Sequence, residues 1–320
     1  MLSICSEVNT SIITGGKILG YIQSLQNGSF AKALEAPARF AKACPALSGN
    51  ILEVHFDRQV DCIDFATRIN KLYDKSIADE LTAKDFPLPQ IKNALFHYGV
   101  ENLWMEYDAP FKNVPALFFD IDRNSAFNPE QAACCFRKIA SLYHLPENTN
   151  LLAFLKQINQ LGAYVVYYGL MLSRQSNSVR LTINGIEPSN LIFTLKELGW
   201  KGNYHTLQKI LDVYVHSGQK IVLGVDLGQQ LEPRIGLEIF DMDNKAMLEK
   251  FHCNRLISDA QFEWFSQWER ITMLPDDLAN TLSYHHARRI KELHLRINHF
   301  KFVIDDTEIT PLKGYFYYCF

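Results

Sequence analysis

The 320-residue chain is most informative at first in what it lacks. It has seven cysteines, an odd number with no CxxC pair among them, which fits a reducing compartment and excludes a disulfide framework as the source of its stability. No long apolar run is present. The longest, Leu161 to Leu172, is about 12 residues and carries two glycines and three tyrosines, too short to span a bilayer, so no membrane partner is expected. The start, MLSICSEVNTSIITGGK, has no basic residues followed by a sustained apolar stretch, so no secretory signal is expected and a cytoplasmic location is. Positive charge is not in excess: 32 Lys and Arg stand against 35 Asp and Glu, and without a basic stripe the chain is not expected to bind nucleic acid.

Signature motifs are missing as well. No GxGxxG, P-loop or GxSxG occurs, which excludes the common nucleotide-dependent and serine-hydrolase readings. The aspartate-rich DDxxD that holds diphosphate through magnesium in all-helical isoprenoid synthases is absent. Its nearest approach, Asp276-Asp277-Leu278-Ala279-Asn280, follows Pro275 and reads as a helix start with acids at the positive dipole end. Asp241 and Asp243 in DMDNK lack the glycine and closing glutamate of a calcium loop, and with Asp120 and Asp122 they read as turn residues. His285 and His286 diverge by about 100° on a helix and would not chelate together, so HHARR reads as a solvated basic face. Cys134 and Cys135 read as small buried hydrophobes of a helix, and Trp264 and Trp268 as core aromatics. No metal ligand is assigned.

No Pro-, Gly- or Ser-rich break interrupts the chain, so residues 1–320 read as a single domain. Its elements recur. A helical stretch near Ser29–Lys42 leads to a strand at 50–57, where Leu52, Val54 and Phe56 alternate with Glu53, His55 and Asp57; a second helix is predicted over about Cys62–Leu72. Two strands follow, LWMEYDAP from Leu103 and VPALFFDID from Val114, then helices in PEQAACCFRKIASLYHL and NLLAFLKQINQLG with Asn128 and Asn148 or Asn150 as starts. AYVVYYGLML and SVRLTING form the next strand pair, with helices around 187–198 and 206–215. KIVLGVDLG and RIGLEIFD form another, with helices at 244–251, 259–268 and 275–292, and HFKFVID and PLKGYFYYCF close the chain.

Connections inside each strand pair are only a few residues long, so the pairs are antiparallel hairpins and a parallel βα-barrel is disfavoured. Within the late strands Val179, Leu181 and Ile183 oppose Arg180, Thr182 and Asn184, and Ile235, Leu237 and Ile239 oppose Arg234, Gly236 and Glu238. With helices on the apolar face, the ionic face must meet water or a barrel lumen. The fold class is therefore α+β, either an antiparallel β-barrel of repeated αββα units with helices outside or an open sheet covered on one side.

The hairpin AYVVYYGLMLSRQSNSVRLTI, the next one LGVDLGQQLEPRIGLEIF and the closing PLKGYFYY resemble those of the αββα-barrel aromatic prenyltransferases over residues 30 to 320, and within that family the cyanobacterial hapalindole-type indole prenyltransferases. The resemblance implies transfer of a dimethylallyl or geranyl group from its diphosphate to a small aromatic acceptor. Ionising an allylic diphosphate requires fixed cations and donors around the leaving group. Arg180, Arg234, Lys301 and Lys313 recur on polar strand faces, with Tyr315 and Tyr317 after them, and the family's pattern supports Arg180, Arg234 and Lys313 most directly. Aromatic faces must shield the allyl cation, for which Trp104, Phe118, Tyr168 or its neighbour Tyr167, and Tyr317 are candidates. Glu106 matches the glutamate that indole-type members use to hold the acceptor N–H or take the released proton. Some members use magnesium, and no residue here is assigned to it. A peptide-modifying or non-catalytic accessory protein on the same scaffold is the alternative.

Overall fold

A computed structural model of the chain describes residues 14–26, 28–56, 63–72, 98–111, 114–121, 127–174, 176–240, 243–305 and 311–320. Its frame is one antiparallel sheet of strands β1 (Gly49–His55), β2 (Ile63–Asn70), β3 (Asn102–Tyr107), β4 (Ala116–Phe119), β5 (Tyr164–Leu170), β6 (Val179–Asn184), β7 (Lys220–Leu227), β8 (Leu231–Phe240), β9 (Arg270–Met273), β10 (Glu292–Ile304) and β11 (Leu312–Cys319). Neighbours follow chain order from β1 to β8. β10 then pairs with both β8 and β11, and β11 with β1, which closes ten strands into a barrel and leaves short β9 on the outer half of β10. The open-sheet alternative is thereby excluded.

Helices cover the outside: α1 (Gly15–Ser24), α2 (Gly28–Ala33), α3 (Glu35–Phe40), α4 (Pro129–Leu142), α5 (Leu151–Gln160), α6 (Leu191–Glu197), α7 (Tyr204–Tyr214), α8 (Asn244–Cys253), α9 (Asp259–Phe265) and α10 (Asp276–His285). Side-chain caps begin several of them: Asn128 accepts from Gln131 N, Asp243 from Ala246 N, and Ser258 with Gln261 makes a reciprocal capping box. The main core lies between this layer and the outward strand faces, where Phe316 of β11 meets Phe265 at 4.6 Å and Trp268 at 5.5 Å between ring centroids. Among the described residues no helix is long and apolar enough to cross a membrane.

Four sequence readings need correction. Residues 63–70 form a strand, not the predicted helix: Ile63, Phe65, Thr67 and Ile69 face the helices while Asp64, Ala66 and Arg68 face inward, a period of two in a run rich in β-branched residues. The helix expected over 275–292 ends at His285, because β10 already starts at Glu292 and gains pairing with three strands. His285 and His286 are buried, not solvated, and His286 Nε2 lies 3.0 Å from the Ala46 carbonyl. Of the two cysteines on α4, Cys135 is buried; Cys134, one position round the helix, is exposed. Asp243 is the cap of α8, and Asp120 accepts from the Glu101 and Asn102 amides; Asp122 and Asp241 lie outside the described residues.

Candidate active site

Alternation sends every second residue of each strand inward, and the barrel is wide enough that these side chains do not fill it. A cavity of about 1140 Å³ remains, lined from residues near both ends of the strands, with Arg234 at one end and Lys220 at the other. Its walls carry nine Asp and Glu against six Lys and Arg, so with neutral histidines the lining is three charges negative.

Opposite charges sit on neighbouring strands and pair. Arg180 on β6 makes a two-point bond to Asp226 on β7, Nε to Oδ1 at 2.7 Å and Nη2 to Oδ2 at 2.6 Å. Lys301 on β10 reaches Glu238 on β8 at 3.1 Å, and Lys313 on β11 donates to Glu53 on β1. Arg174, on the turn after β5, holds Glu106 at 2.7 Å and Asp108 at 2.6 Å. His55 Nε2 lies 2.8 Å from Asp64 Oδ2 and 3.3 Å from Glu53 Oε1, and Asp64 Oδ1 accepts from the Ala109 amide at 2.7 Å.

These contacts set the protonation states. Burial pushes Glu106 up, the Glu53 charge adds to this, and Arg174 pulls only partly against them, so its carboxyl is held above the ordinary range. Burial also acts upward on Glu53, but Lys313 and His55 outweigh it and hold that carboxyl well below its usual value. Lys301 likewise holds Glu238 below its usual value, against burial. His55 is raised, because its bonds to Asp64 and Glu53 overcome burial, whereas burial lowers His299 to about 4 and keeps it neutral.

The structure brings Arg180, Arg234, Lys301, Lys313, Tyr315, Glu106, Trp104 and Phe118 to this one cavity. Arg234 is exposed at the mouth and makes no ion pair among the described residues. Tyr315 stacks on His299 with centroids 4.1 Å apart, and burial holds its hydroxyl far above its usual range, as a neutral donor. Tyr317 shares the inward face of β11 and takes a 3.4 Å bond from Arg68. Tyr168 does not belong to the site. It is 1% exposed, points into the helix layer and stacks near Phe119 and Phe136, because an irregularity between Val165 and Tyr167 turns Tyr167 inward instead.

Sequence reading missed Glu53, Asp226, Arg174, His55, Asp64 and Arg68. Glu53 and His55 were visible as the polar half of the alternation in β1, and Asp64 and Arg68 share the inward face of β2 that the helix assignment hid. Arg68 lies 5.3 Å from the Trp104 ring centroid, a cation–π contact.

No family model matches this chain, and no curated protein matches it in sequence. Among solved structures, the crystal structure of the prenyltransferase PriB in its apo form is similar to it, with a TM-score of 0.50 and 10% identity, covering 94% of this chain and 93% of that one. At that identity the likeness bears on the fold, and the two share the closed ten-stranded antiparallel barrel wrapped by helices.

Proposed function

We propose that the chain is an aromatic prenyltransferase that moves a dimethylallyl or geranyl group from its diphosphate to an electron-rich, indole-type ring. The observation that carries this reading is the convergence of Arg174, Arg180, Lys301 and Lys313 with the faces of Trp104, Phe118 and Tyr167 on one cavity. Departure of pyrophosphate from an allylic carbon leaves negative charge on oxygen and positive charge on carbon. Fixed guanidinium and ammonium groups stabilise the first and aromatic faces the second. The carboxylates that now pair with the cations keep them in place, and the diphosphate oxygens replace these partners. Glu106 holds the acceptor N–H and takes the proton lost when the ring regains aromaticity.

A non-catalytic or peptide-modifying accessory protein is the second reading, favoured by the carboxylate surplus of the lumen. One assay separates the two. The protein is incubated with dimethylallyl or geranyl diphosphate and indole acceptors, with and without magnesium, while pyrophosphate release and calorimetric binding are followed. Turnover supports the enzyme; absence of both release and binding leaves the accessory reading. Arg234→Ala provides the control, because its side chain is exposed and makes no ion pair among the described residues: turnover drops by at least about tenfold while Tm stays within about 1 °C.

A further inference from the structure

Three inward side chains at one end of the barrel form a set of another kind. Glu53, His55 and Asp64 are all buried, line the cavity, and present one ligand atom each within 4.8 Å of one another. His55 Nε2 approaches both carboxylates, at 2.8 Å and 3.3 Å. Ligands of a four-coordinate ion with bonds of about 2.0–2.2 Å stand about 3.3 Å apart, so His55 Nε2 already stands near that spacing from both carboxylates. The open side faces the cavity, where water or a bound anion completes the coordination. An outer contact already aims one of the ligands: the Ala109 amide fixes Asp64 through its other oxygen.

We propose that Glu53, His55 and Asp64 form a binding site for one divalent transition-metal ion of the manganese or zinc kind, held by the protein without any diphosphate. One imidazole with two carboxylates suits those ions better than magnesium, which prefers oxygen and keeps several waters. The surplus of acids over bases in the lining is a second, separate reason for a cation to settle here. On binding, the metal takes the place of the His55 Nε2 proton, which leaves to solvent. It also takes over Glu53 Oε1 from Lys313, whose ammonium is then free to face the lumen.

The test uses the full chain and Mn²⁺ alone, followed by electron paramagnetic resonance, with Zn²⁺ as competitor. Expected are one saturable Mn²⁺ per chain, displaced by Zn²⁺, and a nitrogen coupling from His55 in the pulsed spectrum of the unsubstituted protein. Asp64→Asn and His55→Gln each weaken binding by about tenfold or more, while Asp226→Asn, across the same lumen, leaves it unchanged. The proposal is overturned by absence of saturable binding, by bound Mn²⁺ without nitrogen coupling, or by an equal loss in Asp226→Asn. The nitrogen coupling decides the matter even if a variant does not fold. No readout involves prenyl transfer, so failure here and failure of the prenyltransferase reading are seen separately.

Discussion

Two carboxylates of the lumen, Glu53 and Glu106, are separated by protonation behaviour and not by residue type. Glu106 has its folded pKa raised, chiefly by burial, so its ionised form is disfavoured in the fold. The stability present below the unfolded value is therefore lost as pH rises through the folded one. Glu106→Gln should raise Tm at pH 7 by about 2 °C, the scale of a change on the order of 1 kcal/mol, and the gain should shrink toward pH 4. In the same variant, acceptor turnover should fall. Glu53 has the opposite sign: its pKa is depressed, and its contribution is present at neutral pH and lost as pH falls below the ordinary carboxylate range. Lys313→Met strands that buried charge, at a cost of about 3–5 kcal/mol, and thermal melts should show the deficit narrowing as acid protonates Glu53. Residue types on the polar faces were legible from alternation alone. Their pairings were not, because Arg180 meets Asp226 through strand register, which no local pattern specifies.

Elements rather than single residues explain where Lys301 lies. Gly224 and Gly236 sit opposite each other on β7 and β8, and the Lys301 side chain runs over Gly236 to reach Glu238. A Cβ at Gly236 would come 2.2 Å from Lys301 Cε, so Gly236→Ala must push the lysine off its track, whereas at Gly224 the nearest approach is an ordinary 3.6 Å. Gly236→Ala should therefore weaken diphosphate binding, read by calorimetry, by about tenfold for the loss of one charged contact, with far-UV circular dichroism unchanged. Gly224→Ala should leave binding as it was; equal effects from both would show that Lys301 is not the cause. The hairpins β3–β4, β5–β6 and β7–β8 were legible because short polar turns join alternating runs. β2 was misread because its inward face mixes Asp64, Ala66 and Arg68, so only its outward face kept a clear period. The error at Tyr168 has a related origin: the irregularity in β5 breaks the alternation by one residue, and nothing in YVVYYGL marks where.

The whole molecule turns these strands into a vessel, and closure could be anticipated only as one of two solutions for an ionic sheet face. What the sequence could not supply is the size of the lumen, which depends on ten strands meeting and on small inward residues such as Gly224, Gly236 and Thr182. At about 1140 Å³ the cavity exceeds what a five-carbon prenyl group and an indole require, lying just above the range of about 300–1,000 Å³ typical of small-molecule sites. Volume, not charge, should thus decide prenyl chain length, because the charged ends of dimethylallyl and geranyl diphosphate are the same and only the tails differ. Thr182 projects inward from mid-strand β6, two residues from Arg180, on the wall past which a longer tail must lie. Thr182→Trp should reduce geranyl transfer by about tenfold or more, as expected when a buried apolar group of several methylenes loses its space, while dimethylallyl transfer persists. Competition between the two diphosphates, with products quantified by mass spectrometry, measures the ratio directly. An unchanged ratio would mean that the tail does not occupy this part of the barrel, whatever the total rate.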